Sequence, residues 1–464
     1  MKLQKLTSYV VLASMLGLVV AFTGCKSEQS DSKAKSNDQI SQIMREVSTD
    51  SIKADIQKLV SFGTRHTMSD TTSDSTGIGA ARRWIFHTFK RYRKASGNRL
   101  KVKYDSYVET ENKRINKPTK IVNVVAILPG TQLESKDRMY VISGHYDSRV
   151  SDIMNDTSDA PGADDDGSGT AAVMELARVM SKHEFDATII FLAVSGEEQG
   201  LLGSNHYAEM AKKKNMNIAA MFTNDIIGNS VKNTDGSVHG HVVRVFARSI
   251  PPDKNLSRHE RMLLFTGGGN DTPTRELGRF VYRVAKNHMP NFNVNLIYRK
   301  DRYLRGGDHS SFLDEGYPAV RFTEPHENYN HQHQDVRKEN GIQYGDLPKF
   351  VDYNYVTRVT QLNGASLAEL ANAPARPKDV GVVVSNLTNN TTLRWSENDE
   401  PDLKGYEIVW RSTHLPYWKH AKFVGDTTRY TIKGVSKDNY LFGVRSVDKY
   451  GNQSPAVYPM PVRD

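Results

Sequence analysis

Residues 139–195 read MYVISGHYDSRVSDIMNDTSDAPGADDDGSGTAAVMELARVMSKHEFDATIIFLAVS and combine two strand patterns with a helix pattern. MYVISGHYD (139–147) and ATIIFLAVS (187–195) contain short apolar runs, which are typical of strands buried on both faces. Between them, GTAAVMELARVMSKH (169–183) carries apolar residues at the three- and four-residue spacing of a helix. Strands that alternate with helices in this way favour a parallel sheet.

The same alternation continues on both sides of this unit. It predicts an α/β domain over residues 39–373, with a mostly parallel sheet that is covered by helices on both faces. Further strands are predicted at 121–128, 218–228, 241–247, 294–299 and 319–324, and further helices at 40–60, 81–92, 200–214 and 351–371.

An all-strand pattern replaces the alternation after ANAPARPKD (371–379), where two prolines end an alanine-rich helix. Short strands with turn residues between them predict a β-sandwich over residues 378–464. The placement of Trp395, Tyr406 and the segment YLFGVRSVDKYGNQSP (440–455) resembles a fibronectin type III domain. The resemblance implies a small module that binds, spaces or steadies the first domain.

The first 25 residues, MKLQKLTSYVVLASMLGLVVAFTGC, have the parts of a secretory signal. Two lysines precede an apolar stretch that is short for a membrane span, and the small residues Thr23 and Gly24 precede Cys25. This ending resembles the bacterial lipoprotein signal, which implies lipidation of Cys25 and anchoring to a bacterial cell membrane, facing the periplasm or the cell surface. An ordinary secretory signal with an incidental Cys is the alternative. The polar residues 26–38 form a predicted tether.

The composition argues against several other classes. The 464 residues are 38% hydrophobic and 25% charged, as in soluble globular proteins. The formal net charge is +9, but Lys and Arg are spread along the chain without a long basic run, so we predict no nucleic-acid partner. Cys25 is the single cysteine, so no internal disulfide holds the fold.

Histidines and carboxylates follow the predicted strands at the points where the strands end. Ligands of doubly wound sheets bind at this edge, and imidazole nitrogen and carboxylate oxygen are good zinc ligands. The residues are His145 and Asp147 in GHYDS, Asp164, Asp165 and Asp166 in PGADDDGSG, Glu197 and Glu198 in SGEEQG, Asp225 in MFTND, and His331 and His333 in NYNHQHQD.

Each of these pieces also has a purely structural explanation. Asp166 can serve as a helix N-cap, adjacent glutamates are usually surface charges, and loop histidines are more often exposed than bound to metal. The joint order at successive strand ends is what favours a divalent-cation site, in which a further Glu can accept a proton from water.

Taken together, GHYDS, PGADDDGSG, SGEEQGLLGS, the later Asp225 and a final His in an HxxxD pattern resemble the di-zinc aminopeptidase family. This family includes relatives of glutamate carboxypeptidase and glutaminyl cyclase. The resemblance covers roughly residues 40–372 and is also carried by FGTRHT near residue 62 and GGDHSSFLDEGYPAV (306–320). It implies a zinc exopeptidase, most simply an aminopeptidase, that holds two zinc ions per chain and acts on peptides.

The resemblance also implies a role for each residue. His145 and Asp225 would bind one zinc ion, Asp165 would bridge both ions, and Glu198 and His331 would bind the second. His331 is preferred over His333 because His331 and Asp335 fit the HxxxD spacing. Glu197 would be the general base, and Asp147 would orient His145.

Two other functions remain open from the sequence. The same fold supports glutaminyl cyclase chemistry, whose members typically hold one zinc ion and replace the Asp triplet that is intact here. An inactive surface binding protein is the second alternative, and it predicts a missing ligand or base. Metal stoichiometry and a test for cyclisation of a glutaminyl peptide separate the cyclase from a peptidase.

Overall fold

The structure is a computed structural model that describes residues 38–251 and 255–463. The predicted signal peptide (1–25), its Cys25 and nearly all of the predicted tether lie outside the described residues. Within the part that is described, none of the helices combines the length and the apolar character needed to cross a membrane.

Helices and strands alternate through the first domain. In chain order they are α1 (38–46), α2 (Thr49–Val60), α3 (Gly77–Ala95), β1 (Lys101–Glu109), β2 (Thr119–Leu128), β3 (Arg138–His145), α4 (Gly167–Met180), β4 (Thr188–Val194), α5 (Leu202–Lys213), β5 (Asn217–Asn224), β6 (Val242–Phe246), α6 (Arg258–Phe265), α7 (Pro273–His288), β7 (Asn293–Ile297), α8 (His309–Asp314), β8 (Ala319–Thr323), β9 (Arg337–Glu339), β10 (Ile342–Tyr344) and α9 (Tyr353–Asn372).

Eight of these strands form one sheet in the order β1-β2-β4-β3-β5-β8-β6-β7. The four central strands β4, β3, β5 and β8 are parallel to their neighbours within this group. On one side β2 and β1 join antiparallel, and on the other side β6 pairs antiparallel with β8. The predicted α/β class is confirmed, with a sheet that is parallel at its centre and mixed towards its edges.

Helices cover both faces of the sheet because its central strands are apolar on both sides. Ile142 of β3 lies in the larger core, to which α2, α3, α4 and α9 contribute. Its neighbour Val141 lies in the smaller core on the other face, with Tyr207 of α5 and Phe312 of α8. Successive side chains of one strand therefore pack into two separate cores.

The sheet edge contains one strand that the sequence did not predict. In β1, exposed residues are interspersed with half-buried ones, and none is fully buried. An edge strand of this kind lacks the apolar run that identifies the central strands, so hydrophobic pattern alone does not reveal it.

The C-terminal residues form two sheets around one core. The strands are β11 (Lys378–Val383), β12 (Thr391–Ser396), β13 (Leu403–Ser412), β14 (His420–Gly425), β15 (Arg429–Ile432), β16 (Tyr440–Asp448) and β17 (Met460–Val462). One sheet has the order β15-β12-β11-β17 and the other β14-β13-β16. Trp395, Tyr406 and Val444 lie between the sheets in a shared hydrophobic core. The fibronectin type III resemblance of this module stays a prediction.

A buried ion pair and a hydrogen bond join α7 and the residues just before it to the C-terminal module. Arg411 Nη2 lies 2.5 Å from Asp271 Oδ1, which also pairs with Arg279. Arg279 contacts Glu276 as well, and the Trp418 indole N–H donates to Glu276 Oε2 at 2.9 Å. We refer to Asp271, Glu276, Arg279 and Arg411 as the interface cluster.

Candidate metal centre

Five side chains converge at the carboxyl edge of the central strands. Each comes from a different strand end or loop, and because β4, β3, β5 and β8 run parallel side by side, these ends meet at one place. We call them the metal-centre cluster: His145 at the end of β3, Asp165 in the loop before α4, Glu198 after β4, Asp225 after β5 and His333 in the loop after β8.

The metal-centre cluster consists of two ligand sets that share Asp165. One set is His145, Asp165 and Asp225, and the other is Asp165, Glu198 and His333; within each set the ligand atoms lie within 4.8 Å of one another. Asp165 Oδ1 lies 3.2 Å from His145 Nε2, and its Oδ2 lies 2.9 Å from His333 Nε2. One carboxylate thus faces two imidazoles with its two oxygens, which is the geometry required of a bridging ligand.

The residues of the cluster fit two zinc ions. His145 Nε2 and Glu198 Oε1 are buried without a hydrogen-bond partner, although buried polar atoms are nearly always paired. Each set supplies one imidazole nitrogen and two carboxylate oxygens, which is a donor set that zinc accepts and that leaves a position open for water or substrate.

The prediction that His331 belongs to this cluster is wrong, and His333 takes its place. The His331 ring stacks on Phe350 with 3.6 Å between ring centroids. The backbone N–H groups of His331 and Gln332 both donate to the Asn328 carbonyl, so the loop turns at this point instead of running extended. His333 follows with φ of +53°, and its Nε2 lies 3.0 Å from Glu198 Oε1.

The two histidines also differ in the direction in which their pKa is shifted. Burial and the nearby Lys349 lower the pKa of His331 to about 4. Burial also acts to lower the pKa of His333, but the carboxylates of Glu198 and Asp165 raise it to about 10. His333 therefore lies where a positive charge is stabilised, as a ligand position for a cation requires.

Asp147 lies behind His145, where the sequence placed it. Its Oδ1 is 3.6 Å from His145 Nδ1, and its backbone carbonyl oxygen is 3.2 Å from the same nitrogen. The Asp147 carboxylate also accepts the backbone N–H groups of Glu197 and Glu198, at 3.3 and 3.1 Å. One buried carboxylate thus orients a candidate ligand and fixes the turn that carries the two glutamates.

Glu197 faces the open side of the cluster. Its side chain is 13% exposed, and its Oε2 lies 4.0 Å from His145 Nε2. Burial, opposed by His145 and reinforced by Asp225 and Glu198, raises the pKa of Glu197 well above its ordinary value. The carboxylate is close to the cluster but belongs to neither ligand set among the described residues.

The sequence did not reveal Asp346, whose carboxylate holds the loop that carries Asp165, the candidate bridging ligand. Asp346 accepts the backbone N–H of Asp164 with both oxygens at 3.0 Å and that of Asp165 at 2.7 Å. Asp346 lies in a polar loop with no local motif, so its role could not be predicted from the sequence. Asp166 of the Asp triplet also has a structural role. It accepts the backbone N–H groups of His145 and Gly169 and is the N-cap of α4.

Asp225 is held by an arginine that the sequence also did not reveal. Arg321 is fully buried in β8, and its Nη2 lies 2.9 Å from Asp225 Oδ1. Its Nη1 pairs with Asp301 at 3.2 Å. An arginine in the middle of an apolar strand pattern gives no hint of which carboxylate it contacts, because that carboxylate lies on another strand.

The chain is similar to known proteins over most of its length. The family model described as peptidase family M28 matches residues 123–353. A probable zinc metalloprotease of Pyrenophora teres f. teres is 47% identical over 426 residues, which cover 92% of this chain and 87% of that protein. Another from Pyricularia oryzae is 48% identical over 90% of this chain and 83% of its own length.

Among solved structures, Legionella pneumophila LapA has the same overall fold. The two match with a TM-score of 0.51 at 20% sequence identity, over 72% of this chain and 76% of LapA. At this identity the match concerns the fold alone.

Proposed function

Because this chain belongs to peptidase family M28 and is a zinc metallopeptidase, we propose that it removes terminal residues from peptides with the help of two zinc ions per chain. The observation that carries the proposal is the position of Asp165, whose two carboxylate oxygens face His145 and His333. His145 and Asp225 would hold one ion, Glu198 and His333 the other, and Asp165 both.

Zinc supplies Lewis-acid chemistry at such a site, because it polarises a carbonyl group and makes water acidic enough to attack near neutral pH. The protein's own part is to hold and move a proton. The Glu197 carboxylate would accept the proton of the attacking water and deliver it to the nitrogen of the departing amine. Asp147 would keep the His145 ring and the Glu197 backbone in place during this transfer.

We extend the proposal to export and anchoring on the strength of the sequence. Lipidated Cys25 would hold the enzyme at a bacterial membrane, and the polar tether would give the catalytic domain reach. Incorporation of radiolabelled palmitate tests this step. Label should appear in the parent protein and disappear in Cys25→Ser, whereas an unlabelled parent would contradict lipidation.

The two alternatives from the sequence now carry different weight. An inactive binding protein predicts a missing ligand or base. Among the described residues, however, each zinc-ligand position and the position of the base have a candidate. Cyclase chemistry predicts one zinc ion, whereas the cluster offers two ligand sets that share Asp165. Hydrolysis is therefore the function that the geometry supports best.

A panel of short peptides tests the proposal. The zinc-loaded enzyme should cleave aminoacyl amides or unblocked peptides and should leave internal bonds of peptides that are blocked at both ends intact. A glutaminyl peptide should be hydrolysed and not cyclised. Cleavage of doubly blocked peptides, or cyclisation without hydrolysis, would contradict the exopeptidase assignment.

A further inference from the structure

A cleft of about 360 Å³ opens above the metal-centre cluster, and arginines form much of its wall. Besides cluster residues and Glu197, the wall contains Leu201, Leu304 and two glycines. The four arginines are Arg114 from the β1–β2 connection, Arg149 from the loop after β3, and Arg302 and Arg305 from the β7–α8 connection.

The carboxylates that line this cleft are already assigned. Asp165, Glu198 and Asp225 are candidate zinc ligands, and Glu197 is the candidate base. Two divalent cations would more than neutralise the three ligand carboxylates. The lining residues therefore leave no spare carboxylate for a substrate ammonium group. Arg149 pairs with Glu198, and Arg302 pairs with Asp301 and Glu327, so that Arg114 and Arg305 are the candidate binding groups.

Arg114 is the clearest of these binding groups. Its Nη1 donates to the Glu198 backbone carbonyl at 2.9 Å, and it pairs with no carboxylate among the described residues. Its backbone is fixed, because Asn112 Oδ1 accepts the backbone N–H groups of Arg114 and Ile115, and Ile115 is fully buried. A fixed loop thus holds an exposed guanidinium at the rim of the cleft.

Arg305 lies in the β7–α8 connection, and its carboxylate partner among the described residues is shared with other arginines. Its Nη1 donates to Glu327 at 2.8 Å, but the same carboxylate also accepts Arg244 and Arg302. One carboxylate is therefore shared by three guanidinium groups. The Arg305 side chain is 30% exposed, which leaves part of it available to a ligand in the cleft.

We propose that the cleft selects peptides with a carboxylate next to the scissile bond, and that Arg114 and Arg305 bind this carboxylate. Guanidinium groups suit the task because they present paired N–H donors in the geometry of a carboxylate. The inference rests on the proposed peptidase function and narrows its substrate class. The carboxylate is either the α-carboxylate of a free C-terminus or the side chain of Asp or Glu.

Matched substrate pairs test the proposal and separate the two sources. Ala-Ala against Ala-Ala-amide reports on the α-carboxylate. Glu-Ala-amide against Gln-Ala-amide, and Ala-Glu-amide against Ala-Gln-amide, report on the side chain on either side of the bond. The zinc-loaded full chain should favour the acidic member of at least one pair by roughly 10- to 100-fold in kcat/KM, as expected for hydrogen bonds to a charged group.

Variants connect the preference to the named residues. Arg114→Gln and Arg305→Gln should each move the acid-to-amide ratio towards one, mainly through KM. Arg394→Gln, which removes the same charge from an exposed position on β12 in the C-terminal module, should leave the ratio unchanged. Ratios near one in all three pairs, or ratios that neither cleft variant alters, would overturn the proposal while hydrolysis of the neutral peptides leaves the peptidase function intact.

If the enzyme hydrolyses none of the peptides, the peptidase function fails, and binding still decides the carboxylate preference. The same pairs are then titrated calorimetrically into zinc-loaded Glu197→Gln protein, in which the peptide stays whole. Tighter binding of an acidic member that is lost in Arg114→Gln supports the arginine site, and equal binding within every pair overturns it.

Discussion

The metal-centre cluster and the interface cluster both bury carboxylates, but they differ in how the charge is balanced. In the interface cluster, Asp271 and Glu276 are each in contact with arginine, and Arg279 contacts both. In the metal-centre cluster, Arg149 pairs with Glu198 and Arg321 with Asp225. The shared Asp165 faces two imidazoles and pairs with no arginine among the described residues. Carboxylates that are paired with arginine alone join parts of the structure, whereas a shared carboxylate that faces two imidazoles indicates a cation site.

This difference has an energetic reason. A buried charge without a counter-charge is far too costly to keep, so a protein either pairs it, protonates it or binds a metal to it. In the interface cluster, arginines of the same chain pair with both carboxylates. In the other, no arginine pairs with the shared Asp165 among the described residues, and the imidazoles that face it are themselves good zinc ligands. Mutations in the metal-centre cluster should therefore affect metal binding and activity, and mutations in the interface cluster should affect stability.

The largest effect is expected from Glu197→Gln. The amide cannot accept a proton from water, so turnover should fall by about 10²–10⁴. Because Glu197 belongs to neither ligand set, zinc content should stay near that of the parent. Steady-state kinetics on an aminoacyl amide, with zinc measured on the same sample, checks both parts. Normal turnover would remove Glu197 from the mechanism.

His333→Ala should release zinc, and His331→Ala should not. His333 supplies one of the three ligands of its set, whereas His331 stacks on Phe350 outside both sets. The loss in affinity for one ion should exceed the roughly 10- to 100-fold that loss of an outer hydrogen-bond partner costs. Metal content after dialysis against a mild chelator measures it. Retention of both ions by His333→Ala would contradict the ligand assignment.

Arg411→Ala should destabilise the fold and leave the zinc site loaded. The substitution removes a buried guanidinium from Asp271, and breaking a buried pair on one side costs about 3–5 kcal/mol. Thermal unfolding measures the effect, with Arg394→Ala as the exposed control that should change stability by less than about 0.5 kcal/mol. An unchanged melting temperature in Arg411→Ala would show that the interface cluster contributes nothing to stability.

The smallest effect is expected from Asp346→Asn. An amide in place of this carboxylate loses part of the hydrogen bonding to Asp164 and Asp165, so zinc affinity should fall by roughly 10- to 100-fold. Asp335→Asn is the matched control, because Asp335, which precedes β9, bonds to Ser151 and not to the loop that carries Asp165. Competition with a chromogenic chelator measures both variants. Equal zinc affinity in the two would remove Asp346 from support of the site.

The sequence predicted those parts of the molecule that depend on local pattern. The strands β3 and β4 and the helix α4 were evident because burial imposes a period on neighbouring residues. The candidate site residues could be grouped because parallel strands end at one sheet edge, and the family resemblance then singled out His145, Asp165, Glu198 and Asp225.

Features that depend on loop conformation or on contacts between distant residues could not be predicted from the sequence. The choice between His331 and His333 turned on a bend at Asn328 that no spacing rule reports. The contact between Asp271 and Arg411 joins residues that are 140 positions apart, and neither lies in a motif. Asp346 escaped notice for the same reason, since it supports Asp165 from a loop 181 residues away.

The number of zinc ions per chain tests the central claim most directly. Elemental analysis of the purified full chain, after equilibration with zinc and removal of the excess, should give two ions per chain. The His333→Ala variant, treated in the same way, should keep one. A parent protein that binds a single ion, or none, would contradict the interpretation that Asp165 bridges two metals and that crowded carboxylates in this cluster indicate a cation site.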